Sequence, residues 1–186
     1  MKKIGGILLL LVALPVWAKE TPPGCAWLCG SWVFDATHSD PSELVVDAAL
    51  EKYKEPSGSR RSPQAGATFD SPDGKAEFRA KLLADIKPPA ALVLGERGDE
   101  ILIKIEGVPD RRIFPGEPHS RVDSHGTAKI RADWKKDALV IEESYSGKHG
   151  QVETYALLPD GTLQLTRVFE RPGAKAMRQR LAYRRR

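Results

Sequence analysis

The 186-residue chain is poor in the residues that mark several protein classes. It has two cysteines, two methionines and four histidines, and aromatic residues make up only 7% of it. So few cysteines exclude a disulfide-dense scaffold and a thiolate metal domain. Beyond the first 18 residues, no apolar run approaches the roughly 20 residues needed to span a bilayer as a helix. Nucleophile-elbow, phosphate-loop and zincin motifs are also missing, so neither an enzyme activity nor a cofactor is expected. What remains is 41% hydrophobic and 29% charged, with 30 Gly and Pro together, the balance of one soluble globular domain.

The N-terminus reads as a secretory signal over residues 1–18. Lys2 and Lys3 precede an apolar core from Ile7 to Leu14, Pro15 breaks it, and Val16-Trp17-Ala18 ends on a small residue. The mature protein is then expected to be periplasmic or secreted, with residues 19–27 as a linker and 28–186 as the domain. The formal net charge of +4 does not imply a nucleic-acid groove. Two lysines leave with the leader, the segment from Arg171 to Arg186 holds seven basic residues and no acid, and residues 19–170 carry 20 basic against 25 acidic side chains. A nucleic-acid surface needs basic residues spread over a face with stacking aromatics. A basic C-terminus on an acidic body suits an anionic membrane surface or an envelope protein, or serves only solubility.

Cys25 and Cys29 have three residues between them. In an exported chain a local disulfide is the favoured state, because the C-x-x-C redox spacing is not met and no second Cys or His pair lies near.

Periodicity gives the architecture. A strand is expected over Leu28–Asp35. Asp40, Pro41 and Glu43 then have the composition of a helix start, with Leu44, Val45, Ala48 and Tyr53 facing the body over 41–54. A second helix over Lys75–Ile86 directs Phe78, Leu82, Leu83 and Ile86 inward. From Ala91 the period becomes two. Strands follow at 91–96, 100–106, 111–114, 120–123, 127–134, 138–145, 151–158, 162–170 and 177–184, separated by turn compositions such as Pro159-Asp160-Gly161. Eight to ten antiparallel strands joined by hairpins form a meander. Closing it on itself removes exposed edges, so the expected class is mainly β: an up-and-down barrel with two helices inserted at about 40–87, after the first strand.

Gly30-Ser31-Trp32, opening the first strand, resembles the Gly-x-Trp signature of lipocalins and the wider calycin group. The resemblance implies an eight-stranded barrel whose closed end holds the Trp, crossed by an Arg from near the chain's end, here Arg180 or Arg184. The two-helix insertion departs from that pattern. The stretch from Trp134 to Glu142, with Glu153-Thr154-Tyr155 and Pro159-Asp160-Gly161, is similar to uncharacterised exported bacterial proteins with lipocalin-like sheets, which implies a fold and no activity.

Candidate site residues come from the alternation. Glu143 shares a face with Leu139, Ile141 and Tyr145, and Arg167 shares one with Leu163, Leu165 and Phe169. If both faces point inward, a carboxylate and a guanidinium lie inside the barrel, where each needs a partner. The group Trp134, Ile141, Glu143, Tyr145, Tyr155, Arg167 and Phe169 is the expected lining for a small apolar or amphipathic ligand, with the charges anchoring its polar end. The bland alternative is a structural ion pair within a solid core, the barrel serving as an interaction module. Hydrolase or isomerase chemistry at the barrel mouth is a third reading without a motif behind it. His119, Asp123 and His125 have ligand chemistry suited to zinc but not its usual spacing, so no metal site is assigned.

Overall fold

A computed structural model describes residues 25–51, 72–123, 126–145, 149–170 and 176–186. Residues 1–24, which include the expected leader, residues 52–71 and His125 lie outside the described residues, as does the side chain of His149. Among the described residues, no helix is long and apolar enough to cross a membrane.

Ten strands form one antiparallel sheet. They are β1 (Gly30–Asp35), β2 (Ala91–Arg97), β3 (Glu100–Ile105), β4 (Val108–Ile113), β5 (His119–Asp123), β6 (Gly126–Trp134), β7 (Ala138–Tyr145), β8 (His149–Leu157), β9 (Leu163–Glu170) and β10 (Met177–Arg185). The sheet order is β4-β3-β2-β1-β10-β9-β8-β7-β6-β5, so the first and last strands pair near its middle and the edges are β4 and β5. The meander expected from period-two alternation is present, with ten strands where the Gly-x-Trp resemblance implied eight.

The sheet is strongly curled. β4 and β8 stand six strand steps apart, which in a flat sheet is about 29 Å. Yet Arg111 on β4 bonds Glu153 on β8 at 2.6 Å. Curling turns Leu92, Leu94, Ile101, Ile103, Ile130, Leu139, Ile141, Leu163, Leu165 and Leu181 into one apolar core. Trp32 floors it, fully buried, its indole N–H donating to the Leu28 carbonyl at 3.0 Å. The 3-10 turn Cys25–Trp27 and the Cys25–Cys29 disulfide pack beneath, so Cys25–Trp27, read as linker, are part of the folded body.

The Arg that crosses Trp32 is neither Arg180 nor Arg184. Arg185 lies with its guanidinium carbon 4.8 Å from the Trp32 ring centroid. Along β10, Met177, Gln179, Leu181 and Tyr183 face inward, so the odd-numbered parity continues to Arg185. Arg180 instead binds Asp40, and Arg184 binds Asp35. The basic C-terminus is therefore a paired central strand.

α1 (Ser42–Leu50) and α2 (Pro72–Asp85) cover the other end. Their apolar cluster joins Val46, Ala49, Leu82 and Ile86 to Phe169 and Met177. α1 is partly rotated from the expected face: Val45 packs on the cluster as expected, but Val46 and Ala49 are buried while Ala48 is exposed and Leu44 is 66% exposed. Asp40 does not cap the helix. Its carboxylate accepts from the Arg180 backbone N–H at 2.8 Å, and this tie to β10 turns the helix start. α2 begins at Pro72, a residue well suited to a first helical position.

Candidate ligand-binding interior

Between the floor cluster and the helical cluster lies a layer of charge. On β9, Leu163 and Leu165 belong to the floor and Phe169 to the helical end, with Arg167 between them. On β10, Leu181 and Met177 flank Gln179 in the same way. Gln179 and Arg167 are register partners, and Arg167 pairs across to Glu153 on β8.

Glu153 is the hub. One carboxylate oxygen accepts from Arg111 at 2.6 Å and from the Tyr155 hydroxyl at 3.1 Å. The other accepts from Gln151 Nε2 at 2.6 Å and faces Arg167 Nε at 3.6 Å. Burial pushes its carboxyl up, but Arg111 and Arg167 outweigh this and hold it below the ordinary carboxylate range. Burial likewise opposes the charge on Arg111, and the Glu153 and Glu143 carboxylates overcome it to keep the guanidinium firmly protonated. The Tyr155 hydroxyl is raised by burial and by Glu153, so it stays neutral and donates.

A second carboxylate adjoins this hub. Glu143 on β7 receives Arg121 from β5 and the Tyr145 hydroxyl at 3.1 Å on one oxygen, and faces Arg111 at 3.6 Å with the other. The layer thus combines three guanidinium groups with two carboxylates, an excess of one positive charge. Arg111 Nε and Nη2, Arg167 Nε, Gln179 Oε1 and the Tyr183 hydroxyl are buried with no hydrogen-bond partner. Orphan groups of this kind are costly unless something satisfies them.

Of the residues expected to line a site, Glu143, Tyr145, Tyr155 and Arg167 meet in this layer. Glu143 and Arg167 do not pair with each other; each has its own partner. Ile141 is the register partner of Glu153 and lies in the core beside it. Phe169 sits toward the helices, 5.4 Å from the Arg167 guanidinium carbon. Trp134 is placed apart, against Trp27 with ring centroids 5.7 Å apart at the floored end. Glu153, Arg111, Arg121 and Gln151 were missed. Among the described residues no group of three or more His, Cys, Asp or Glu is arranged to hold a metal. His119 packs edge-on to Phe114.

No protein-family model matches the sequence, and no curated protein matches it. Solved structures do. The fold is calycin-like. The fluorescent protein UnaG superposes with a TM-score of 0.53 at 16% identity, covering 87% of this chain and 99% of its own. A zebrafish ileal bile acid-binding protein complexed with cholic acid gives 0.50 at 12% identity, over 86% and 99% of the two chains. Fatty-acid-binding protein 1 of Echinococcus granulosus gives 0.51 at 9% identity, over 86% and 98%. At these identities the likeness is one of fold, and it extends over nearly the whole of each neighbour.

Proposed function

We propose that this calycin-like barrel binds a small amphipathic ligand in its interior, with the ligand's anionic end on the layer of Arg111, Arg121 and Arg167. The observation carrying this reading is the charged layer itself: buried Arg111 and Arg167, with half-exposed Arg121 at its edge, stand against two glutamates, and several guanidinium N–H groups face a carboxylate without a hydrogen bond. A monoanion balances the charge and supplies acceptors for those donors. The apolar clusters above and below offer surroundings for the rest of such a molecule. The bile acid-binding and fatty-acid-binding names of the fold neighbours support the same ligand class. The leader-like pattern at residues 1–18 supports export, and with it a ligand met in the cell envelope or outside it.

Native mass spectrometry of protein purified from its own source tests the reading. A retained mass of a few hundred daltons, released by organic solvent and ionising as an anion, is expected. A chain at its bare mass in every preparation, with no uptake of added long-chain carboxylates, would overturn it.

A further inference from the structure

The two strands at the sheet's edges, β4 and β5, follow each other in the chain, yet among the described residues no backbone ladder joins them. Every other neighbouring pair in the sheet is held by backbone hydrogen bonds. Here the closure rests on side chains. Arg111 from β4 and Arg121 from β5 both reach inward to Glu143, one toward each oxygen. Glu143 is buried, whereas Arg121 is 38% exposed, so the bridge runs from the surface into the charged layer.

The seam has a pinned end and a loose end. In the connection between the two strands, the Gly116 N–H donates to the Ala132 carbonyl of β6 at 2.7 Å, which fixes one end. At the opposite end stand Val108 and Val122, 49% and 79% exposed. Among the described residues, the two ends of the barrel are tied more firmly. The floor is filled by Trp32, Leu28 and the disulfide turn. The helical end is tied by Asp47–Arg79 between the helices, by Asp40–Arg180 and Ser42–Gln179 to β10, and by its apolar cluster.

We propose that the β4–β5 seam is the entrance to the interior, hinged at Gly116 and latched by the Arg111–Glu143–Arg121 bridge. An anionic ligand releases the latch by exchange: Arg121 trades the Glu143 carboxylate for the ligand's own, while Glu143 keeps Arg111 and the Tyr145 hydroxyl. Peeling β4 from β5 breaks no ladder bond between them, unlike opening any other strand pair. The proposal rests on the ligand-binding reading above for its purpose, but the latch is testable without a ligand.

The experiment uses the full chain and two readouts. The first is uptake of N-phenyl-1-naphthylamine, a neutral apolar probe whose approach is not steered by charge, followed by stopped-flow fluorescence. The second is amide hydrogen exchange over 108–113 and 119–123. Glu143→Gln weakens the bridge at constant shape and is expected to raise the uptake rate by roughly tenfold, the order expected for one lost charged hydrogen bond. Exchange in β4 and β5 rises with it, while β1 and β10 stay protected. Arg121→Gln, at a half-exposed position, gives the same direction and guards against misfolding of the first variant. Asp47→Cys with Arg79→Cys, joined by a short bismaleimide, fixes the helices and leaves the uptake rate within about twofold. Slowing by the helix crosslink with no effect of Glu143→Gln would overturn the seam as the entrance. Unchanged exchange in Glu143→Gln would overturn the latch. Failure of the unaltered protein to take up any probe would overturn the ligand reading, and the exchange measurement would still decide the latch.

Discussion

At the scale of single residues, parity along a strand decides most of what was legible in the sequence. Glu143 and Arg167 stood out because each interrupts an apolar face. Glu153 did not, because β8 is disguised: Val152, Thr154 and Ala156 point outward and the interior face reads Gln-Glu-Tyr. No hydrophobic count recovers that inversion, since it follows from the demand of Arg111 and Arg167 for a carboxylate. Arg111 itself lies between Pro109 and Pro115, in the least regular stretch of the chain. The Arg over Trp32 was misplaced by one residue, though Leu181 and Tyr183 carry the parity that leads to Arg185. Two predictions belong here. Glu153→Ala leaves two buried guanidinium groups without their counter-charge and is expected to cost about 3–5 kcal/mol, read from the urea midpoint at constant slope. Arg185→Ala should cost about 0.5–1 kcal/mol and shift the Trp32 fluorescence, whereas Arg184→Ala leaves that emission unchanged.

Among the elements, strands were more legible than helices. Strand borders agree within three residues, because turn residues bound every segment and alternation needs only local sequence. α1 was read about one residue out of phase, with Val45 inward as expected but Val46 and Ala49 buried in place of Leu44 and Ala48. Asp40, assigned to the start of that helix, has its carboxylate taken by Arg180, 140 residues later. A tie of that length leaves no local signal. The same junction predicts an acid dependence. Asp35 at the end of β1 accepts from His38 at 2.8 Å and from Arg184 at 2.7 Å, and these bonds hold its carboxyl down at about 2 against an ordinary 3.8. Its contribution to stability is therefore complete above about pH 4 and is lost as pH falls from there toward 2. Asp35→Asn should flatten the stability curve over that window and leave its shape at neutral pH unchanged. Below β1, the Cys25–Cys29 bridge closes so short a loop that replacing both cysteines by serine is expected to cost only about 2 kcal/mol, measured by thermal unfolding.

Across the whole molecule, the early reading of charge takes on a different meaning. Four of the seven basic residues at the C-terminus, Arg178, Arg180, Arg184 and Arg185, belong to the central strand β10, and Asp35 and Asp40 neutralise two of them. The positive charge with most consequence is the smaller excess of the layer between the floor and the helices, to which half-exposed Arg121 contributes at the outer edge. That excess separates a ligand-binding interior from a solid core held by a structural ion pair. Calorimetric titration with a long-chain carboxylate and with the alcohol of the same chain length measures it directly, in the unaltered protein and in Arg111→Gln. The account predicts that the carboxylate binds on the order of tenfold more tightly than the alcohol, consistent with one charged hydrogen bond, and that Arg111→Gln removes the difference. Equal affinity for the two, or binding of neither, would contradict it.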